Sequence, residues 1–400
     1  MSEHKYWVEV DLGAIRHNFR RLQERIRPTG ILAVVKSEAY GHGLLPVARV
    51  ALEEGAWGLG VVTAQEGLKL RQAGLMKPIV VLGPVIESEM DRALQADLSL
   101  PVHELNLARH LSARAVALGK SARIHLKVDT GLSRLSVPAE QALEFARAVM
   151  ALPNLELEGV YSHLADAEGL DQSYTLRQYQ SFQGCLEELA AQGFRPRVRH
   201  IAASAAGLLL EATRFDLVRA GITLYGLWPA EETRLLLLSG GQDLLHALNR
   251  QFSAGDEVRE DFLRPALSFK TVAAQVKDVP QGASVGYGCT FRTQRPTRLA
   301  ILPLGYAEGY DRGLSNCGEV LIRGQRARVV GRVCMNMTMV DVTDVPGAAP
   351  GDEVVLIGRQ GGQRVSAEEL ASWCGTINYE VVTRIPAVVP RVYRDETSSP

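Results

Sequence analysis

No stretch of this 400-residue sequence approaches the ~20 consecutive apolar residues that a bilayer-spanning helix needs. The longest aliphatic run, Leu235 to Leu238, is far shorter. The start of the chain, MSEHKYWVEVDLGAIRHN, carries Glu3, Lys5, Glu9 and Asp11 and lacks the apolar core of a secretion signal. Net charge is also missing: 44 Lys and Arg against 45 Asp and Glu leave −1. General attraction to nucleic acid or to an anionic membrane is thereby excluded, and any anionic ligand must be held by local geometry. The five cysteines form no CxxC pair and no metal-type spacing with histidine, so no metal site is expected. Their odd number fits reduced thiols in a cytoplasmic protein. Neither GxGxxG nor GxxxxGK[ST] occurs, which argues against a dinucleotide or a P-loop nucleotide. Internal repeats and low-complexity tracts are absent too.

What is present is alternation. Short β-branched runs at 31–35, 57–62, 78–82, 98–102, 123–128, 157–162, 198–202 and 216–219 are separated by amphipathic patterns such as 63–73 and 173–192. Strands alternating with helices imply a parallel sheet, and this number of units suggests a closed (β/α)8 TIM-type barrel. After about Leu227 the pattern changes to strand-like runs with turn signals, among them ALSFKTVAAQVKDV, TRLAILPLG, EVLIRGQRARVVGRV, MTMVDVT, DEVVLIG and IPAVVPRVY. One clear helix, 366–374, interrupts a mainly β region. The expected organisation is a barrel over 1–235, whose first ~10 residues are free to pack on the other domain. An insert or linker over 236–263 and a mainly β domain over 264–395 follow.

In such a barrel, chemistry sits just past the C-terminal ends of the strands. Lys36 directly follows the apolar run ILAVV, where partial desolvation lowers an amine's pKa and favours its nucleophilic form. Lys127, Asp129 and Thr130 end the fifth unit, His163 follows the sixth, and Ser204 in AASAAG follows the seventh. Arg219 and Gly221 follow the eighth. Backbone N–H groups near Ser204 and at Gly221–Ile222 suit a phosphate, which this fold commonly binds after its last two strands.

The strings AVVKSEAYGHG, HLKVDTGLSRL, YSHLADAEG, HIAASAAGL, FDLVRAGITLYGL, RPALSFKT, SVGYG, LPLGYAEGY, VGRVCMNMTMVDVT and NYEVVTRIPAVVPRVY occur in this order from Ala33 to Tyr393. Together they resemble the bacterial alanine racemases, enzymes dependent on pyridoxal 5'-phosphate (PLP), and they span most of the chain. The resemblance implies that Lys36 holds PLP covalently and serves as one acid/base, with Tyr287 of the partner subunit as the other in a shared-site homodimer. It implies cofactor contacts from Tyr40, His163, Ser204, Arg219, Gly221, Ile222 and Tyr379, with Arg219 facing the pyridine nitrogen. His163 and Arg134 are the expected tuners of Tyr287. Arg134 and the backbone N–H of Met335 would hold the substrate carboxylate, and Lys127 would be a carbamylated lysine anchoring Arg134. Tyr306, Glu168, Arg312 and Arg332 would line the entrance. The implied role is interconversion of L- and D-alanine, supplying D-alanine for peptidoglycan.

Two positions depart from the common pattern of that family. Ala203 stands where many members have Asn, which removes a hydrogen-bonding group near the cofactor. Asn336 stands where many have Asp, which removes a negative charge near the substrate carboxylate. Both bear on substrate range, because a pocket that merely accommodates a side chain rejects an added hydroxyl by only ~100-fold. Serine or broad small-amino-acid racemisation is therefore the alternative. A decarboxylase of similar build would be expected to carry a carboxylate where Arg219 stands, and a single-domain PLP carrier would have no counterpart of residues 266–393.

Overall fold

The computed structural model describes residues 4–238 and 262–395. The chain forms two compact units: Ala14–Ala39 with Leu44–Pro265, and Met1–Gly13 with Tyr40–Gly43 and Ala266–Pro400.

The first unit is a closed parallel barrel. Its strands in chain order are Gly30–Val34, Gly58–Val61, Ile79–Val81, Leu100–Val102, Ala122–Asp129, Leu155–Tyr161, Val198–His200 and Leu217–Ala220. They form two parallel sheets, one joining the eighth strand to the first three and one joining the fourth to the seventh. Two parallel bridges, Val80 with Ser99 and Ala203 with Arg219, close the circle. These strands are short and almost wholly buried, as expected where helices cover the outer face and side chains fill the interior. Each expected strand is found, with ends shifted by one or two residues. The helices at 63–73 and 173–192 appear as Ala64–Gln72 and Ser173–Ala191. Thr63 caps the former through a capping box with Glu66. A helix at Glu231–Leu238 runs from the end of the expected barrel span into the first residues of the expected insert. Residues 239–261 lie outside the described residues.

The second unit is built on one large sheet. Tyr6–Asp11 pairs antiparallel with Leu267–Val272 and parallel with Arg391–Arg394, in registers that set Val8 against Phe269 and Arg391. The sheet continues through Glu353–Gln360, Glu319–Ile322, Gln325–Val329, Thr338–Asp341 and Thr297–Leu302 to Gln275–Val279. A helix at Ala367–Cys374 starts from Ser366, which makes a capping box with Glu369. A further helix, Asn378–Thr383, follows it and was not anticipated. The run IPAVVPRVY is strand only at its end. Pro386 and Pro390 have no N–H to give a ladder, and the chain turns there, with Val389 N–H on the Pro386 carbonyl at 3.0 Å.

Candidate active site

The end of the first barrel strand is fixed before Lys36 is reached. The buried Tyr225 hydroxyl donates to the Val34 carbonyl at 2.8 Å, and Val35 N–H donates to Gly60 O at 2.8 Å. The backbone then turns left-handed over four residues that are not glycine: Ser37, Glu38, Ala39 and Tyr40 have φ of 54°, 51°, 52° and 54°. Such a conformation costs about 1–2 kcal/mol per residue and persists only where the surroundings enforce it. Glu66 supplies much of that enforcement. One of its carboxylate oxygens accepts Ser37 N–H at 2.6 Å, while the other accepts Val62 N–H at 2.9 Å and Thr63 N–H at 3.1 Å. Glu38 adds a bond from Leu44 N–H at 3.3 Å and a salt bridge to Lys69. On this turn the Lys36 amine is held below its ordinary pKa by burial and by the charge of Arg134, against an opposing pull from Glu66. Neutral, nucleophilic amine is thereby favoured.

Lys127 is buried near the end of the fifth strand. Burial, then the charges of Arg134 and Arg219, push its amine down to about 8. Its Nζ lies 5.6 Å from the centroid of Tyr161, whose ring stacks on His200 at 4.9 Å and 10°. The buried Tyr161 hydroxyl has no hydrogen-bond partner among the described residues. Asp129 shapes the loop toward Arg134: its Oδ1 accepts the N–H groups of Gly131, Leu132 and Ser133 at 2.9, 3.0 and 3.2 Å. Glu168 sits beyond the sixth strand, in a turn closed by Gly169 N–H on Asp166 at 3.1 Å.

Arg219 is 5% exposed, and no carboxylate touches its guanidinium among the described residues. Nη1 donates to His200 Nδ1 at 2.9 Å and to the His200 carbonyl at 3.2 Å. Nη2 donates to the carbonyls of Ser162 and Ile201 at 2.9 and 2.8 Å, and to His163 Nδ1 at 2.9 Å. Burial brings Arg219 down to about 10, so it stays a cation at neutral pH. His163 lies well below its ordinary pKa through burial and the charges of Arg219, Arg134, Lys127 and Lys36. Its Nδ1 faces a donor, so the proton of the neutral ring belongs on Nε2.

Ser204 opens the short helix Ser204–Leu209, and Gly221 immediately precedes the helical turn Ile222–Tyr225. Gly221 N–H donates to Ser204 Oγ at 3.1 Å, and that hydroxyl also pairs with Thr223 Oγ1 at 3.1 Å. Hydroxyls and first-turn N–H groups thus converge on one spot, a donor set suited to a phosphate. Ala203, at the cap of the first helix, offers no side-chain bond.

The remaining expected residues belong to the second unit. Tyr40 and Tyr379 lie with ring centroids 6.2 Å apart. Tyr287 stands 73% exposed on a turn between Gly286 and Gly288, whose φ are 73° and 74°. A Cβ at Gly288 would press on the Arg332 guanidinium, so glycine there leaves that cation its place against the turn. Arg312 opens a short turn capped by Asp311. Tyr306 N–H donates to the Cys334 carbonyl at 3.1 Å and Ala307 N–H to the Met335 carbonyl at 3.0 Å, tying Tyr306 to the loop of Met335.

Asn336 donates its amide to Glu308 at 2.7 Å, and the other Glu308 oxygen accepts Gly305 N–H at 2.8 Å. The negative charge missing at 336 is therefore present next to it, at Glu308. Asn336→Asp should set two carboxylates against each other. We expect the variant to lose about 1–2 kcal/mol, and the added change Glu308→Gln to return most of it. Denaturant unfolding of the single and double variants measures this, and an unchanged midpoint in Asn336→Asp would contradict the contact.

Motif reading left six side chains unassigned: Glu66, His125, Glu158, Tyr161, His200 and Thr223. The available signal was polar side chains inside otherwise apolar strands, such as His125 and Lys127 two apart in HLKV.

A desolvated lysine after the first strand, a buried arginine on the eighth and a donor cradle between the last two define a barrel enzyme built around an anionic, carbonyl-bearing cofactor. Residues 10–229 match the family described as "Alanine racemase, N-terminal domain" and residues 266–393 match "Alanine racemase, C-terminal domain". The chain is 40% identical to the alanine racemase of Methanococcus maripaludis over 98% of its length and all of that protein. Among solved structures, the alanine racemase of Clostridium difficile superposes with a TM-score of 0.88 at 30% identity, covering 100% of this chain and 98% of that one. The histidine racemase of Leuconostoc mesenteroides does so with a TM-score of 0.84 at 25% identity, covering 99% of each. The chain belongs to the alanine racemase family and is a PLP-dependent isomerase.

Proposed function

We propose that the chain interconverts L- and D-alanine by exchanging a proton at Cα between two faces, with Lys36 on one and Tyr287 of the partner subunit on the other. The observation that carries this is the Lys36 amine, desolvated on an enforced left-handed turn and facing a positive charge. When bound, PLP supplies an electron-withdrawing ring that makes the substrate's Cα–H acidic. Within the barrel, Ser204 with the N–H groups at Gly221 and Ile222 fits its phosphate, and Arg219 fits its pyridine nitrogen as a donor that cannot accept. Arg134 serves as the cation for the substrate carboxylate. Neutral His163, with its proton on Nε2, offers Tyr287 of the partner subunit a hydrogen bond rather than a charge. A phenol of ordinary pKa near 10 needs such help to act at neutral pH. Borohydride reduction of the holoenzyme, followed by peptide mapping, should place the pyridoxyl label on Lys36. A label on any other residue would overturn the reading. Chiral analysis with L-Ala and L-Ser then sets the substrate range, which Ala203 and the shared fold with a histidine racemase leave to the pocket.

Lys127 fits the carbamate role. An amine at about 8 is partly neutral at physiological pH and can attack CO2, releasing a proton and leaving an anion beside the Arg134 charge. With 13C-bicarbonate, a carbamate carbon signal should appear and strengthen as pH rises through about 8. It should vanish in Lys127→Met. A spectrum without it at pH 8.5 would remove the role.

A further inference from the structure

Arg219 is a buried cation with no carboxylate in contact among the described residues, a costly state unless charge is balanced nearby. The balance is found across the barrel. His200 Nε2 lies 3.1 Å from His125 Nδ1, and His125 Nε2 lies 3.0 Å from Glu158 Oε2. Ser99 Oγ bonds the same Glu158 oxygen. His125 and His200 are fully buried, and Glu158 is 2% exposed. A Cβ at Gly159 would collide with the His125 ring, so the neighbouring strand makes room for it.

The direction of every bond in this chain is dictated by its two ends. A guanidinium has no acceptor, so His200 Nδ1 must be bare toward Arg219, which puts the His200 proton on Nε2. His125 must then accept at Nδ1 and carry its own proton on Nε2. That proton requires an acceptor, which an ionised carboxylate supplies. Burial raises the Glu158 pKa, but bonds from His125 and Ser99 bring it below the ordinary carboxylate value. His200 is held well below its ordinary value by burial and Arg219, consistent with a neutral ring.

We infer that Glu158 is a positioning residue for Arg219: its buried carboxylate, acting through two tautomer-locked imidazoles, balances the guanidinium and fixes its orientation. The effect on catalysis rests on the proposed placement of Arg219 at the pyridine nitrogen; the tautomers do not. Bonds polarised in series reinforce one another, so losing the terminal charge should be felt at the far end.

The test uses protein carrying 15N-labelled histidine, both as apoprotein and as holoenzyme. Wild type should show His125 and His200 protonated on Nε2 alone, with His200 unchanged from pH 6 to pH 9. Glu158→Gln keeps the volume and a carbonyl acceptor but not the charge. It should lower kcat about tenfold with KM changed less than about twofold, and should mix the His125 tautomers. In an Arg219→Lys background the same change should cost less than about twofold, because Glu158 acts through the arginine. A doubly protonated or Nδ1-protonated His200 in wild type would overturn the proposal. So would equal kcat losses in both backgrounds. If Glu158→Gln does not fold, the wild-type apoprotein tautomers decide alone. Their outcome is independent of Lys36 and Tyr287, so failure of the two-base reading is separately visible.

Discussion

Mixed Lys36→Ala and Tyr287→Phe chains should regain about a quarter of wild-type racemase activity, although each variant alone is inactive. The expectation follows from symmetry in the proposed closed two-fold dimer. Random exchange makes half of the dimers hybrid. Each hybrid has one site with neither base and one site with Lys36 from one chain and Tyr287 from its partner. One site in four is then intact. Lys36→Ala removes the one residue proposed to hold the cofactor covalently, so its loss should exceed about 10³-fold. Tyr287→Phe keeps the ring and removes only the phenolic proton site. The structure motivates sharing because Tyr287 stands 73% exposed on a glycine-flanked turn, a costly place for a large aromatic that has nothing to meet. Activity of the mixture is read after exchange has been verified by mass-tagged chains. Verified hybrids with no activity would count against sites shared between chains.

The barrel was legible because its grammar is repetitive: each strand is a short apolar run, and several of the runs end in a residue able to do chemistry. Lys36, His163, Ser204 and Arg219 could be singled out from that rule alone. The left-handed turn at Ser37–Tyr40 could not. None of those four residues has a conformational preference for positive φ, and what enforces it is Glu66, a cap residue on the next helix. The partner of Asn336 was hidden for a similar reason. The Asn336 amide belongs to a contact with Glu308, far enough away in sequence that the substitution looked like simple loss of charge. The chain from Arg219 to Glu158 was hidden by burial, since an inward-facing histidine in an apolar strand reads as filler until its neighbours on three other strands are known. Local physics is written in local residues; enforcement and charge balance come from tertiary neighbours. The extra helix at Asn378–Thr383 belongs with these, because a two-proline run after it drew the reading toward a strand.

Arg219→Met should lower the stability of the apoprotein by about 3–5 kcal/mol, a loss larger than that of any surface substitution. The methionine fills the volume but abandons five acceptors at once: two imidazole nitrogens and the carbonyls of Ser162, His200 and Ile201. Each buried acceptor left unpaired costs about 1–3 kcal/mol, reduced where water enters. A compensating gain arises from no longer burying a cation, which is why the expected loss is smaller than the sum. Arg219→Lys separates the two contributions. It keeps the charge, but three donors on one nitrogen cannot span acceptors at the ends of two adjacent strands as a planar fork does. Its stability should fall between wild type and Arg219→Met. Urea unfolding of the three apoproteins at pH 7.5 measures the series, with the slope against denaturant checked for constancy. An Arg219→Met midpoint within error of wild type would mean that the polar interior of this barrel is held by its strands alone. The charge balance drawn between Arg219 and Glu158 would then have no energetic substance.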